Sequence, residues 1–286
     1  MFEVLALTDD PIVFEPLVLS STAEAAVPWA QNVWRSPAIF EIASISDAAK
    51  KLRAVQRNWI PFSLSHHRRT QLISEALPHV SRKPLSFPSP PPAAPLGAFV
   101  LLEPGLVLAS SETSSPFPNG EVAFIEEREA PPSRAYLKLW ETFTRLGRRP
   151  GPEDRCLDAG ASPGGWTWVL ATLGASVLAV DRAPLDSAVA RLPGVSSRIG
   201  DALSIDPAER SYDWVVSDVA ATPERLLPWV MSWIESGAAK NLVVTLKFKG
   251  AGSAEVVRRY LELPAGWLFH GFHNKHELTF VWPRAV

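Results

Sequence analysis

Two lysines and two acids in the second half of the chain could together move a proton off a hydroxyl group. Asp218 ends the apolar run WVVSD, and Lys247 ends the run LVVTLK. In a doubly wound sheet the carboxyl ends of the strands line the ligand crevice, so both side chains should face it. Lys138 lies in a helix ahead of these runs, and Glu277 opens the last run.

Lys247 is the candidate general base of this set. A lysine that emerges from an apolar run loses hydration, and this loss favours the neutral form that can accept a proton. Lys249 has the same strand parity but lies in the following loop, farther from the sheet. Each lysine taken alone could equally hold its ammonium group in solvent. The prediction therefore depends on all four residues lying together.

A glycine-rich loop, DAGASPGGW, joins the first apolar run to a helix. The dinucleotide pattern G-x-G-x-x-G that begins at Gly160 would need a glycine where Ser162 stands. The loop can instead place backbone amides at a helix N-terminus against a carboxylate or a ribose, although a purely structural turn could have the same composition. The candidate ligand-binding residues here are Gly160, Ser162, Pro163, Gly164, Gly165 and Trp166.

Two further acids follow later strands, at positions where an adenosine cofactor would need them. Asp181 ends the next apolar run, 21 residues after Gly160, where a carboxylate can accept from both ribose hydroxyls. Asp201 follows the third strand, where it could accept from the exocyclic amine of adenine. Either acid alone could also be a solvated turn residue.

The regular elements after residue 133 predict the fold that would hold these groups. Short apolar runs alternate with amphipathic segments, an order typical of parallel strands with helices between them. Ser133 is expected to cap the first helix, and Thr222, Pro223 and Gly237 bracket a later one. WLFHGF and LTFVW, separated only by HNKHE, predict an antiparallel pair at one edge. The expected fold class is α/β, with a doubly wound Rossmann-like sheet of the kind found in class I methyltransferases, its last strand antiparallel, and a smaller α+β amino-terminal domain.

The first part of the chain separates its charges. Residues 1–47 carry seven acids and one base, whereas residues 48–96 carry eight bases and one acid, a net charge of +7. Helical spacing in DAAKKLRAVQRNW predicts a docking side formed by Leu52, Val55 and Trp59, opposite a basic side. The basic side could bind a polyanion or could simply be a solvated helix face. The candidate phosphate-contacting residues are Lys50, Arg53, Arg57, Arg68 and Arg69.

Length and composition predict two globular domains in a reducing compartment. The chain has 286 residues, of which 47% are hydrophobic and 20% charged, an ordinary globular composition. The single cysteine, Cys156, permits no internal disulfide, and no apolar run is long enough to span a bilayer. We expect a cytoplasmic protein with no membrane partner and no metal. The expected division is an amino-terminal module over 1–90, a linker with a small β-hairpin over 91–128, and a catalytic domain over 129–286.

Five segments resemble the FtsJ-type ribose 2'-O-methyltransferases: SRAYLKLWE, DAGASPGGWTW, VVSDVA, LVVTLKF and HELTFVW. The resemblance covers residues 112–286 and is nearest to the RlmM branch, which methylates a cytidine ribose of large-subunit ribosomal RNA. SSPFPNGEVAF followed by PPSRAYLKL is similar to the segment that joins the RNA-binding THUMP domain of that branch to its catalytic domain. The part before residue 112 is shorter than the ferredoxin-like plus THUMP arrangement of that branch, so a reduced RNA-binding module is expected there.

The resemblance implies an activity, a cofactor and a partner. The family's Lys-Asp-Lys-Glu tetrad would correspond to Lys138, Asp218, Lys247 and Glu277. S-adenosyl-L-methionine would be the cofactor, bound by the glycine loop with Asp181, Asp201 and Asp218. RNA, in particular ribosomal RNA, would be the partner of a monomeric enzyme.

Other activities are less consistent with the residues. A cytosine C5 methyltransferase needs a thiolate, whereas Cys156 lies inside a strand. An enzyme that methylates amino groups would be expected to carry two prolines after Asp218, where Val219 and Ala220 stand. The remaining alternatives are an RNA-binding protein with a vestigial or regulatory cofactor pocket, and a zinc hydrolase. A zinc site is disfavoured because the three-residue spacing of the histidines alternates between strand faces; these histidines are His270, His273 and His276.

Overall fold

A computed structural model describes residues 11–21, 27–249 and 254–283. The chain divides into two compact units, of which the smaller is Ala30–Phe124 and the larger combines Met1–Trp29 with Ile125–Val286. The described residues 11–21 and 27–29 therefore belong to the same unit as the predicted catalytic residues.

The elements up to residue 124 are short strands and two helices. In the larger unit, β1 (Ile12–Phe14) and β2 (Leu17–Leu19) form an antiparallel pair. The smaller unit contains β3 (Trp34–Arg35), β4 (Ala38–Glu41), α1 (Ile45–Val55), β5 (Trp59–Pro61), α2 (His67–Glu75), β6 (Gly97–Glu103), β7 (Leu106–Ser110) and β8 (Glu112–Thr113).

A four-stranded sheet with the order β4-β7-β6-β5 organises the smaller unit. The predicted hairpin is present as the antiparallel pair β6 and β7. These strands also pair with β5 and β4, respectively, so the hairpin is part of the smaller unit rather than of a linker. The observed division therefore differs from the expected boundaries after residues 90 and 128, because backbone pairing joins segments on both sides of the proline-rich stretch.

Helix α1 is shorter than its sequence pattern suggests. It begins after Ser44, whose hydroxyl accepts from the Asp47 backbone N–H, and it ends at Val55. Trp59 belongs to β5, and its indole N–H donates to the Leu52 carbonyl near the end of the helix. Leu52 is buried as predicted, but Val55 is 51% exposed, so its predicted docking role is wrong. The chain leaves the helix before the apolar spacing is complete.

The larger unit contains the predicted parallel sheet. Its seven strands have the order β11-β10-β9-β12-β13-β15-β14. The elements are α3 (Tyr136–Leu146), β9 (Arg155–Ala159), α4 (Gly165–Thr172), β10 (Ser176–Asp181), α5 (Ser187–Ala190), β11 (Val195–Ile199), β12 (Tyr212–Ser217), α6 (Pro223–Ser236), β13 (Ala239–Lys247), α7 (Ala254–Leu261), β14 (Trp267–Phe269) and β15 (Glu277–Trp282). The first five strands of that order are parallel, and β15 is antiparallel to both β13 and β14, which confirms the expected fold class.

Helix α6 illustrates how local sequence builds this unit. Pro223 occupies its first turn, and Gly237 ends it in a left-handed conformation, as predicted. Leu226, Val230 and Trp233 are fully buried against the sheet. Burying each such side chain contributes roughly 1.5 to 3 kcal/mol. The apolar stripe therefore fixes α6 beside the strands that lead to the site.

Helix α3 differs from the prediction at its start. The residue that precedes the helix is Ala135, and its side chain makes no capping hydrogen bond. Ser133 therefore does not cap the helix, and it lies instead in the lining of a pocket next to Gly165. Within the described ranges, none of the helices is both long and apolar enough to span a membrane.

Candidate active site

The four predicted catalytic side chains meet at the carboxyl ends of β12 and β13. Lys138 Nζ lies 3.0 Å from Asp218 Oδ1 and 2.8 Å from Glu277 Oε2. Lys247 Nζ lies 3.1 Å from the same Asp218 oxygen and also donates to the Asp218 backbone carbonyl. The four side chains are between 13% and 28% exposed. The two lysines thus share one carboxylate, and Glu277 pairs with Lys138.

Strand register explains why these residues meet. Lys247 and Glu277 are direct partners across the antiparallel pair β13 and β15. Direct cross-strand partners hold their side chains about 5 Å apart. Asp218 immediately follows β12, which is the other neighbour of β13. Lys138 reaches the group from the first turn of α3.

Lys138 is held in its charged form. Burial is the largest single influence and favours the neutral amine, but the combined attraction of Asp218 and Glu277 outweighs it. The pKa of Lys138 therefore lies above its ordinary value of 10.5. Lys138 is suited to stabilise negative charge rather than to accept a proton.

The glycine loop forms one wall of a pocket of about 400 Å³. Gly160 has a φ of +87°, and a β-carbon there would lie 2.6 Å from the β-carbon of Val219. Gly164 has a φ of +117° and precedes α4. Glycine permits both conformations. The predicted ligand-binding residues in the pocket lining are Gly160, Ser162, Pro163, Gly165, Trp166, Asp181, Asp201 and Asp218; Lys247 also lines it.

Two of the predicted ligand-binding residues have a structural role. Gly164 has only that role, whereas Trp166 has it in addition to lining the pocket. Gly164 lies outside the lining and starts the helix. Trp166 is buried, and its indole N–H donates to the Ala135 carbonyl at 2.9 Å. Trp166 thus links the glycine loop to the start of α3, the helix that carries Lys138.

Asp181 and Asp201 line the pocket and also organise the backbone around it. Asp181 Oδ2 accepts from the Ser162 N–H at 3.0 Å, which fixes the glycine loop to the end of β10. Asp201 accepts from the Leu203 N–H, and Arg182 donates to its other oxygen. These hydrogen bonds, with the Leu203 bond the stronger influence, hold the pKa of Asp201 below its usual value. Asp201 therefore remains a carboxylate near neutral pH.

Asp158 was not assigned a role from sequence, although it begins the glycine loop. It is 1% exposed, and Thr167 donates to its Oδ2 at 2.6 Å. Among the described residues, its Oδ1 has no hydrogen-bond partner, and Asp158 lines the pocket. Burial raises the pKa of this carboxyl to about 7. A buried oxygen without a partner is able to accept a hydrogen bond from a ligand or to contact a cationic group of a ligand.

Glu141 is a second residue that sequence analysis missed. It lies one turn after Lys138 on α3 and is 1% exposed. Its carboxylate accepts from the Phe272 N–H at 2.9 Å, from the His273 N–H at 3.0 Å, and from Arg145 Nε at 2.8 Å. It thereby holds the turn that leads into Glu277. The interspersed polar residues of α3 carried no signal that one of them would be buried.

The predicted phosphate-contacting residues lie in the smaller unit, on and beside α1 and α2. Lys50 and Arg53 are exposed on α1, and Arg57 is exposed just after it. Arg68 is exposed on α2, but Arg69 is half-buried, with its Nε inaccessible. Four of the five residues are therefore available to a partner.

Within residues 11–21, 27–249 and 254–283, no three His, Cys, Asp or Glu side chains lie close enough together to hold a metal ion. The group formed by His270, His273 and His276 is included in that finding.

Comparison with known proteins finds a family match within the larger unit. A model of the FtsJ-like methyltransferase family matches residues 131–250. "Ribosomal RNA large subunit methyltransferase M" from Halorhodospira halophila is 35% identical over 156 residues, covering 52% of this chain and 46% of the relative. The protein of the same name from Pseudomonas fluorescens (strain Pf0-1) is 34% identical over 191 residues, covering 61% and 53%. The chain spans about half the length of these relatives.

A solved structure of an rRNA methylase from Streptococcus thermophilus is also similar to this chain. It is 13% identical, covers 56% of this chain and 97% of that one, and has a TM-score of 0.39. The family match covers the segment from just before α3 to the end of β13, which contains Lys138, Asp218 and Lys247. Residues 131–250 are therefore similar to the FtsJ-like methyltransferase family.

Proposed function

We propose that this chain is an S-adenosylmethionine-dependent RNA ribose 2'-O-methyltransferase that acts on large-subunit ribosomal RNA. The observation that carries the proposal is a chain of three ion pairs beside the glycine-loop pocket, which links Lys247 to Asp218, Asp218 to Lys138, and Lys138 to Glu277. The names of the relatives support this substrate class. The lone buried Cys156 is consistent with a cytoplasmic location.

The pocket suits S-adenosylmethionine in size and in charge. Its volume of about 400 Å³ falls within the usual range of small-molecule sites. The cofactor carries a sulfonium and an ammonium group, and the pocket offers carboxylates together with the orphaned Oδ1 of Asp158. Ser162 and Gly165 would hold the ligand near backbone amides at the start of α4.

Lys247, Lys138 and Asp218 each have a separate role in the transfer of the methyl group. The cofactor supplies an electrophilic methyl group when bound. Lys247 accepts the proton of the ribose 2'-hydroxyl. Lys138, held as a cation, stabilises the negative charge that develops on that oxygen. Asp218 contacts both lysines and thereby orients them.

Mass spectrometry of ribosomal RNA nucleosides from cells with and without the gene tests this function. A 2'-O-methylated nucleoside of large-subunit RNA should disappear when the gene is removed. An unchanged nucleoside profile, with RNA binding but no calorimetric response to S-adenosylmethionine, would favour the alternative of an RNA-binding protein with a vestigial pocket.

Asp181→Ala should weaken cofactor binding by about 1 to 3 kcal/mol, because it leaves ribose hydroxyls and the Ser162 N–H without an acceptor. Asp206→Ala is the matched control, since Asp206 accepts from the Ala208 N–H and lies outside the pocket lining. Titration calorimetry measures both variants. Equal affinities for the two would remove Asp181 from the binding site.

Asp158→Asn should weaken cofactor binding and yet raise the free energy of unfolding at pH 8. Folding raises the pKa of Asp158 from 3.8 to about 7, so burying its charge destabilises the fold fully above pH 7 and progressively less towards pH 3.8. The stabilisation by asparagine should therefore shrink between pH 8 and pH 5. Urea denaturation at the two pH values measures this stabilisation. A variant that is less stable than the unchanged chain at pH 8 would contradict the cost that we assign to burying the charge of Asp158.

Removing Lys50, Arg53 and Arg57 together should flatten the dependence of log RNA affinity on log salt. Each lost phosphate contact reduces the slope by roughly 0.7 to 0.9. Cofactor affinity should not change. The control replaces three bases of the larger unit, which are Arg191, Arg198 and Arg210. Identical slopes for both triple variants would indicate that the basic segment is a solvated helix face that does not contact RNA phosphates.

A further inference from the structure

Pro28 and Trp29 lie more than a hundred residues before the segment that matches the FtsJ-like family, but in the same compact unit. The Pro28 carbonyl accepts from the backbone N–H of His270 at 2.7 Å. The ring of Trp29 packs edge-on against His270, with 5.6 Å between ring centroids. Both contacts tie the segment to the residue that follows β14.

Trp29 also contacts the residues next to two members of the tetrad. Its ring lies 4.9 Å from that of Phe248, which follows Lys247, in an edge-on arrangement. It stacks on the ring of His276, which precedes Glu277, at 5.4 Å and 27°.

These contacts cover the end of a strand ladder. Lys247 and Glu277 form the last residue pair of the β13 and β15 register. Just beyond them, the Phe248 N–H donates to the His276 carbonyl at 3.3 Å. Trp29 packs against the rings of both residues that make this closing hydrogen bond. It therefore restrains the end of the ladder that sets the spacing of the two catalytic side chains.

We propose that Trp29 is a positioning residue for the tetrad, clamping the ends of β13 and β15 so that Lys247 and Glu277 keep their registered spacing. The inference rests on the proposed function. Trp29 and Phe248 both pack with the core that α6 and α7 share with β13, so Trp29 acts through the strand ends. Small errors in the placement of reacting groups cost large factors in rate.

Single-turnover methyl transfer by the full chain tests the clamp. Trp29→Ala should lower the rate on the order of tenfold, with cofactor affinity and the RNA concentration for half-saturation unchanged. Trp29→Phe, which keeps a ring, should retain most of the rate. Trp267→Ala is the matched control, because Trp267 stacks on Phe269 in β14 at 4.4 Å and belongs to the same sheet. It should leave the rate near that of the unchanged chain.

Hydrogen exchange gives a readout that does not depend on activity. The Phe248 amide should exchange faster in Trp29→Ala and at the original rate in Trp267→Ala. The clamp is overturned if Trp29→Ala leaves that exchange rate unchanged, or if Trp267→Ala reproduces its loss of methyl transfer. If the unchanged chain transfers no methyl group, the proposed function and the positioning role of Trp29 in methyl transfer fail together. The exchange data then still decide whether Trp29 restrains the strand ends.

Discussion

Replacing Lys247 with alanine is expected to slow methyl transfer by about two to four powers of ten while S-adenosylmethionine still binds. The substitution removes the amine that we assign as general base, beside Asp218 and in the pocket lining. It leaves the glycine loop and Asp181 intact. Single-turnover transfer to unmodified large-subunit RNA measures the rate, and calorimetry measures the cofactor affinity.

Lys249→Ala is the matched control for this experiment. Lys249 is exposed and follows the end of β13, whereas Lys247 is its last residue and the partner of Glu277. Its replacement should cost little activity. An inactive Lys249→Ala beside an active Lys247→Ala would show that the base is assigned to the wrong lysine.

Lys138→Met should reduce both activity and stability. Methionine keeps the length of the side chain but leaves Asp218 and Glu277 facing each other without the cation that now lies within 3.0 Å of both. Leaving part of a largely buried ion cluster uncompensated costs about 3 kcal/mol. Methyl transfer should fall by at least about a hundredfold, because the cation that stabilises the developing alkoxide is gone. Urea denaturation and single-turnover transfer measure the two effects.

The pH dependence of this variant gives a further check. In the unchanged chain the raised pKa of Lys138 stabilises the fold at all pH values below 10.5, and this contribution is lost only as pH rises through the folded-state pKa. Lys138→Met lacks this contribution, so its loss of stability relative to the unchanged chain should be full at pH 8 and should shrink as pH rises through the folded-state pKa of Lys138. A loss that stays constant over that rise in pH would contradict the electrostatic explanation.

The meeting of Asp218, Lys247 and Glu277 could be predicted from sequence because strand ends are local features, whereas the assignment of Lys138 to the same group depended on the family resemblance. An apolar run that stops at a polar residue marks the carboxyl end of a parallel strand, as at Asp218 and Lys247. The antiparallel final pair followed from the short spacing of its runs, and it places Glu277 opposite Lys247. These signals required no knowledge of distant contacts.

The features that were missed depend on contacts distant in sequence. Asp158 is orphaned because α4 and the neighbouring strands bury it, and Glu141 is buried because it serves a turn more than 120 residues later. Helix α1 ends early because Trp59 belongs to β5, which pairs with β6 in a sheet. Trp29 packs in the larger unit, although the residues of the smaller unit, Ala30–Phe124, separate it in sequence from the rest of the larger unit. Residue spacing along one element cannot report such contacts.

The chemical identity of the methylated position tests the central claim most directly. The full chain is incubated with unmodified large-subunit RNA and S-adenosylmethionine that carries a labelled methyl group, and the nucleosides are analysed by mass spectrometry. The account predicts label on a ribose 2'-oxygen, with transfer that Lys247→Ala abolishes and Lys249→Ala preserves. Label on a base, or equal transfer by Lys247→Ala and the unchanged chain, would contradict it.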